Sequence, residues 1–296
     1  MRKDALSESA RLAEISKHLR NTLNLWGYQE VFLPTIESYD DQLDKGTRFA
    51  YKNEFYLIKP DLTSQIVANH GGQDDMRLFY ISEVLDGGVR GDWQFGIEKI
   101  GGSDGHLQVE VLSILLSSLK ALRIDDFYLD VGSLKVWEKA IGGIEEYRKD
   151  ILTALYRRNF DLIEELALPR DKKQELWSLF NFRGEETDYE KLSRIVARLD
   201  SERVFVDYGT LRPLPYYEDL VFEVYSPRYG QPVGAGGEYT LNGNKACGFA
   251  FDMDALVEIF DGEVDGNRRP VNLEDDHPYR SARKLVQEGT AIEVRT

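Results

Sequence analysis

Two strand-like runs, Arg77–Val84 and Trp93–Ile100, are separated by Gly87-Gly88-Val89-Arg90-Gly91-Asp92. Apolar alternation on both sides of a glycine-rich turn is the signature of neighbouring antiparallel strands. Helical spacing follows at once, from His106 to Leu122, and then a strand, Phe127–Val131. These runs predict a mixed α+β fold, an antiparallel sheet flanked by helices, with Gln94 and Glu98 on one face.

The rest of the chain fits that frame. From Ala5 to Trp26, apolar residues recur at Leu6, Ala10, Leu12, Ala13, Ile15, Leu19, Leu23 and Trp26, a helix stopped by Gly27. Tyr28–Leu33 reads as a strand ended by Pro34, Phe55–Ile58 as a short strand, and Lys59–Thr63 as the entry to a helix. Residues 133–200 are charged and helical, broken by Pro169 and Gly184, and read as an insertion between a first core part, 1–132, and a second, 201–262. Its basic residues Arg157, Arg158, Lys172 and Lys173 are interspersed with acids, as on a solvated helical face. Strand patterns return at Val204–Val206, Leu220–Tyr225 and Gly248–Phe251, with a helix at Met253–Phe260. Residues 263–296 read as a linker and short C-terminal tail with one helix and one strand.

The 296 residues are 42% hydrophobic, enough for a sizeable core, and carry a formal charge of −15. That balance argues against a nucleic-acid partner, because polyphosphate affinity is carried mainly by Lys and Arg. The single cysteine, Cys247, precedes an apolar run and reads as a buried structural thiol. His18, His70, His106 and His277 lack metal-ligand spacing. No apolar stretch reaches the length of a membrane span, and the N-terminus has no signal core, so a cytoplasmic location without membrane contact is expected.

Three segments carry chemistry: Gln94-Phe95-Gly96-Ile97-Glu98, Arg212-Pro213-Leu214-Pro215-Tyr216-Tyr217 and Ala235-Gly236-Gly237-Glu238-Tyr239-Thr240. An amino-acid site must neutralise an ammonium and a carboxylate and then read a side chain. Gln94 and Glu98 stand at i and i+4 on one strand, hence on one face, where both can meet one ligand. In order and spacing the segments resemble the catalytic core of histidyl-tRNA synthetase, a class II aminoacyl-tRNA synthetase fold, over residues 20–260 and without an anticodon-binding domain. The resemblance implies a histidine pocket with Asp61, Thr63, Gln94 and Glu98 around the ammonium. It also implies Arg212 toward the carboxylate, Tyr216 and Tyr217 beside the imidazole, and Gly236 and Gly237 letting backbone approach the ligand. Asp61 stands where the family has Glu, Pro213 and Pro215 replace Gly and Asp, and Glu218-Asp219 replaces Thr-Arg.

The same resemblance places Asp86 and Ala255 where the synthetase has its two ATP-clamping arginines. Adenylate formation needs cationic stabilisation of the phosphates. A synthetase-like core without it resembles the regulatory subunit of ATP phosphoribosyltransferase. Membership there implies no catalytic residue, metal or cofactor. It implies a short catalytic subunit as partner, histidine as effector in the first step of histidine biosynthesis, and a homodimer within a hetero-oligomer, paired near Phe32–Ile36. The competing readings are a divergent histidyl-tRNA synthetase or amino-acid ligase, and an interaction paralogue with a dead pocket.

Overall fold

The computed structural model describes residues 5–39, 47–58, 62–63, 65–66, 75–85, 91–211, 216–241, 243–262, 268–274 and 277–295. The chain divides into two compact units, Met1–Phe260 and Asp261–Thr296.

The first unit opens with α1 (Ala5–Leu25), which buries Ile15, Leu19 and Leu23. It stops before Gly27, whose φ of +79° only glycine adopts without steric cost. The strand expected over Tyr28–Leu33 is shorter. Only β1 (Gln29–Glu30) joins a ladder, parallel to Leu78 and Phe79, and Val31 N–H adds one bond to the Phe79 carbonyl at 2.9 Å. Three short strands follow, β2 (Ile36–Ser38), β3 (Thr47–Tyr51) and β4 (Glu54–Ile58), in an antiparallel sheet of order β2-β4-β3.

The main sheet is built from β5 (Met76–Val84) and β6 (Asp92–Ile100), then, after α2 (His106–Ala121), β7 (Tyr128–Ser133). Helices α3 (Leu134–Ile141), α4 (Arg148–Tyr156), α5 (Asp161–Glu164) and α6 (Arg170–Phe180) lead to β8 (Arg183–Gly184), α7 (Glu190–Leu199) and β9 (Val204–Asp207). β10 (Tyr217–Tyr225), β11 (Pro232–Leu241), β12 (Asn244–Asp252) and α8 (Met253–Ile259) complete the unit. Strand order is β1-β5-β6-β12-β11-β10-β7-β9-β8, and every neighbouring pair from β5 to β7 is antiparallel.

β7 and β9 pair in parallel, which a tight turn cannot achieve. The helical segment between them is therefore a crossover. Its helices α3 to α6 close around a core of their own, with Trp137, Ile151, Leu155, Ile163 and Leu176 at its centre. Helix α7 leaves that group and sends Leu192 and Ile195 into the main core.

Side chains alternate between the two faces of a strand. On one face Phe79, Phe95, Ile97, Phe249 and Phe251 pack with residues of α1, α2 and α8 to form the main core. Cys247 lies there too, and burial pushes its thiol well above the ordinary range, as befits a structural cysteine. On the other face Leu78, Tyr80, Ile100, Tyr239, Leu241 and Ala246 form a second cluster.

The second unit holds β13 (Arg269–Asn272), α9 (Pro278–Gln287) and β14 (Ile292–Arg295), the two strands paired in parallel. β13 falls in the stretch that reads from sequence as polar linker. No helix among the described residues is long and apolar enough to cross a membrane.

Candidate functional site

A cavity of about 500 Å³ lies on the second face of the main sheet, lined by residues from β5, β6, β10, β11 and β12 together with Thr63. It collects Thr63, Gln94, Glu98, Tyr216 and Tyr217. Asp61 and Arg212 lie outside the described residues, as does Asp86.

Glu98 is the centre of the inner end. Leu78, Glu98, Gly248, Gly237 and Val221 form one row across five strands. A carboxylate on the face of a sheet needs room, and the row provides it with glycine. A Cβ at Gly248 would stand 2.1 Å from Glu98 Oε2 and 2.5 Å from the Ile97 carbonyl. Glu98 is only 3% exposed. Its charge is stabilised by two hydroxyl donors, Thr63 Oγ1 to Oε1 at 2.5 Å and Tyr239 OH to Oε2 at 2.6 Å. Burial, and then the neighbouring Glu98 charge, push the Tyr239 hydroxyl well above its ordinary range, so it stays a donor.

The aromatic wall has a backbone origin. Register between β10 and β11 shifts between Tyr217 and Val221, a bulge that re-aims side chains. The Tyr217 ring lies over Gly237, where a Cβ would meet Tyr217 Cδ1 at 2.9 Å. Tyr216 packs edge-on against Tyr217 and Tyr239, with ring centroids 4.9 and 5.8 Å apart. Gly236 faces the other way. A Cβ there would meet the Gly248 carbonyl at 2.2 Å and Phe222 Cζ at 2.5 Å. Both glycines thus clear space for neighbouring strands and rings. Gly236 serves the core side of β11, not the cavity.

The outer end is also acidic. Asp92, Trp93, Tyr229, Gln231 and Asp252 line it. Asp252 also caps α8, accepting from Ala255 N–H at 3.0 Å. Burial, and then Asp254 and Asp92, raise its carboxyl above the usual range. Burial raises Tyr229 as well, helped by the field of Asp252, Glu258, Asp254 and Asp92. Among the described residues the lining carries three carboxylates, Asp92, Glu98 and Asp252, and no lysine or arginine. Ala255 is fully buried in the main core.

Sequence reasoning did not single out Tyr239, Asp92 or Tyr229. Tyr239 had a signal, since it stands two residues beyond Gly237 and shares its face. The others had none, because they come together only when β6, β12 and the chain after β10 are neighbours.

Residues 3–199 and 181–256 match the family model described as Histidyl-tRNA synthetase. The chain is 26% identical to an ATP phosphoribosyltransferase regulatory subunit of Moorella thermoacetica, over 96% of this chain and 88% of that one. It superimposes with a TM-score of 0.81 on a solved ATP phosphoribosyltransferase regulatory subunit/histidyl-tRNA synthetase from Bacillus halodurans, at 22% identity, covering 100% and 91% of the two chains. A chain of an ATP phosphoribosyl transferase complex from Thermotoga maritima superimposes with a TM-score of 0.70 at 18% identity, covering 80% of this chain and 96% of that one. The expected fold, an antiparallel sheet of the class II synthetase type flanked by helices, is the fold observed.

Proposed function

Because this chain belongs to the histidyl-tRNA synthetase family, we propose that it acts as a non-catalytic regulatory subunit of ATP phosphoribosyltransferase. In this reading it activates a short catalytic subunit and relays feedback by histidine. The names of its relatives support the first part. The observation that carries the second is a single cavity with two unlike ends. The inner end sets a buried carboxylate, Glu98, beside tyrosines, a setting suited to an ammonium and an imidazole ring. The outer end sets two carboxylates, Asp92 and Asp252, against any phosphate that enters. Two like unit charges about 4 Å apart repel by about 4 kcal/mol at an effective dielectric near 20. Phosphate is disfavoured there.

Histidine then binds with its ammonium near Glu98, Thr63 and Gln94 and its ring near Tyr216 and Tyr217. Asp61 and Arg212 join this set on the strength of the sequence resemblance alone, Arg212 toward the carboxylate. Asp86 and Ala255, at the positions of the family's ATP clamps, belong to the same argument. The chain works in the cytoplasm as a homodimer within a hetero-oligomer, with no catalytic residue, cofactor or metal of its own.

The test is co-purification with a short catalytic subunit of ATP phosphoribosyltransferase, followed by its condensation of ATP with phosphoribosyl pyrophosphate. Activity is expected to rise with this chain and to fall when histidine is added. No association and no change in rate would refute the proposal. A second reading, a divergent synthetase or ligase, is favoured by the family model itself. Histidine-dependent pyrophosphate exchange above background would establish it.

A further inference from the structure

β11 turns its two faces to different places. Gly237 and Tyr239 face the cavity side, while Glu238 between them faces the core and is 1% exposed. A carboxylate so deep needs partners. Lys191, from the first turn of α7, reaches Glu238 Oε1 at 2.6 Å and Oε2 at 2.7 Å. Gln108 of α2 donates to Oε2 at 2.5 Å. The Lys191 ammonium also lies 3.2 Å from Asp219 Oδ2 and 3.4 Å from Asp104 Oδ1. Asp219 is itself fully buried, and Ser133 and Tyr189 hydroxyls bond to it, the latter at 2.8 Å.

Asp219 sits inside the β10 bulge, between Tyr217 and Val221. One cation behind the sheet therefore ties together the two strands that carry Tyr217 and Tyr239 in front of it. Burial alone would lower the Lys191 ammonium. Glu238, Asp219 and Asp104 outweigh that and hold it above its usual range, so the tie stays charged.

We propose that Lys191 is a positioning residue for the cavity: α7 grips the β10 bulge and β11 from the core side and thereby sets where Tyr217 and Tyr239 stand. The crossover segment and the cavity are then coupled. Coupling is reciprocal, so a ligand in the cavity must steady α7 as much as α7 steadies the cavity.

This inference rests on the reading of histidine as the ligand, and the experiment separates the two. Histidine binding is measured by calorimetry, and amide exchange across Glu190–Leu199 is followed with and without histidine. The Tyr217 signal is read by fluorine NMR of protein labelled with 3-fluorotyrosine and assigned with Tyr217→Phe. Lys191→Met is expected to weaken histidine binding by about tenfold or more, to shift the Tyr217 signal, and to abolish protection of α7 by histidine. Lys191→Arg, which keeps the charge, is expected to restore binding to within about threefold. Lys191→Met leaves two buried carboxylates under-paired, so Lys191→Met/Glu238→Gln is the control for folding. It is expected to fold and to stay uncoupled. A double variant that binds histidine within about twofold of wild type, with an unmoved Tyr217 signal, overturns the proposal. So does wild-type protein that binds histidine without protecting α7. If wild type does not bind histidine, the ligand reading fails and the fluorine signal alone decides: moved, it supports the positioning role, and unmoved, it ends it.

Discussion

A carboxylate 3% exposed persists only where donors replace water, and at Glu98 two hydroxyls do so. If a ligand's ammonium completes the pairing, removing the carboxylate leaves that ammonium desolvated and under-paired, at a cost on the order of 2–5 kcal/mol. Glu98→Ala is therefore expected to weaken histidine binding by at least about 30-fold, read by calorimetry. The same change should leave activation of the catalytic subunit largely intact, because docking alone is needed for that. Asp252 offers a prediction of the opposite sign. Its carboxyl is raised in the folded state, so between the unfolded and folded values the native protein holds a proton that the unfolded chain has lost. Its contribution is fully favourable below the unfolded value of 3.8 and is lost as pH rises through the higher folded value. Asparagine caps a helix about as well as aspartate. Asp252→Asn should accordingly raise the Tm at pH 7 by about 1–2 °C, with the gain shrinking as pH falls through the carboxylate range. Equal gains at pH 7 and at low pH would refute this.

At the scale of elements, β11 and β12 are the strands that make a cavity possible. β11 carries Gly234, Gly236 and Gly237, and β12 carries Gly248. Glycine is depleted in strands because it packs nothing and costs backbone entropy. Here the neighbours supply the packing, with Phe251 against Gly234, Phe222 against Gly236, Tyr217 against Gly237 and Glu98 against Gly248. Gly248→Ala is expected to destabilise the protein by about 1–3 kcal/mol, because its Cβ must displace a carboxylate and a backbone carbonyl. Urea unfolding measures the loss, and a variant as stable as wild type would show that β12 can shift aside. The glycine content is also why the segment reads from sequence as a ligand-binding motif and not as a ten-residue strand.

For the molecule as a whole, the expected dimer segment carries exposed apolar side chains. Phe32 is 80% exposed and Ile36 51%. Exposed large apolar side chains are candidates for a contact surface. Phe32→Glu is expected to turn a dimer into a monomer at micromolar concentration, with the cavity and histidine binding unchanged. Light scattering checks the first and calorimetry the second. A wild-type monomer would remove the dimer from the proposal without touching the cavity.

Periodicity and turn chemistry determined the elements. The helix of His106–Ala121, the hairpin strands β5 and β6, and Gln94 and Glu98 on one face are local consequences of a 3.6- or 2-residue repeat. Short strands such as β2, β3, β8 and β13 stayed hidden because two to five residues hold too little pattern to read. What no local rule could supply is what stands opposite what. That Glu98 meets Tyr239 across 141 residues of chain, and that Lys191 finds Glu238 behind the same strand, follows from ladder register and helix packing. These are long-range outcomes, and only the assembled sheet decides them.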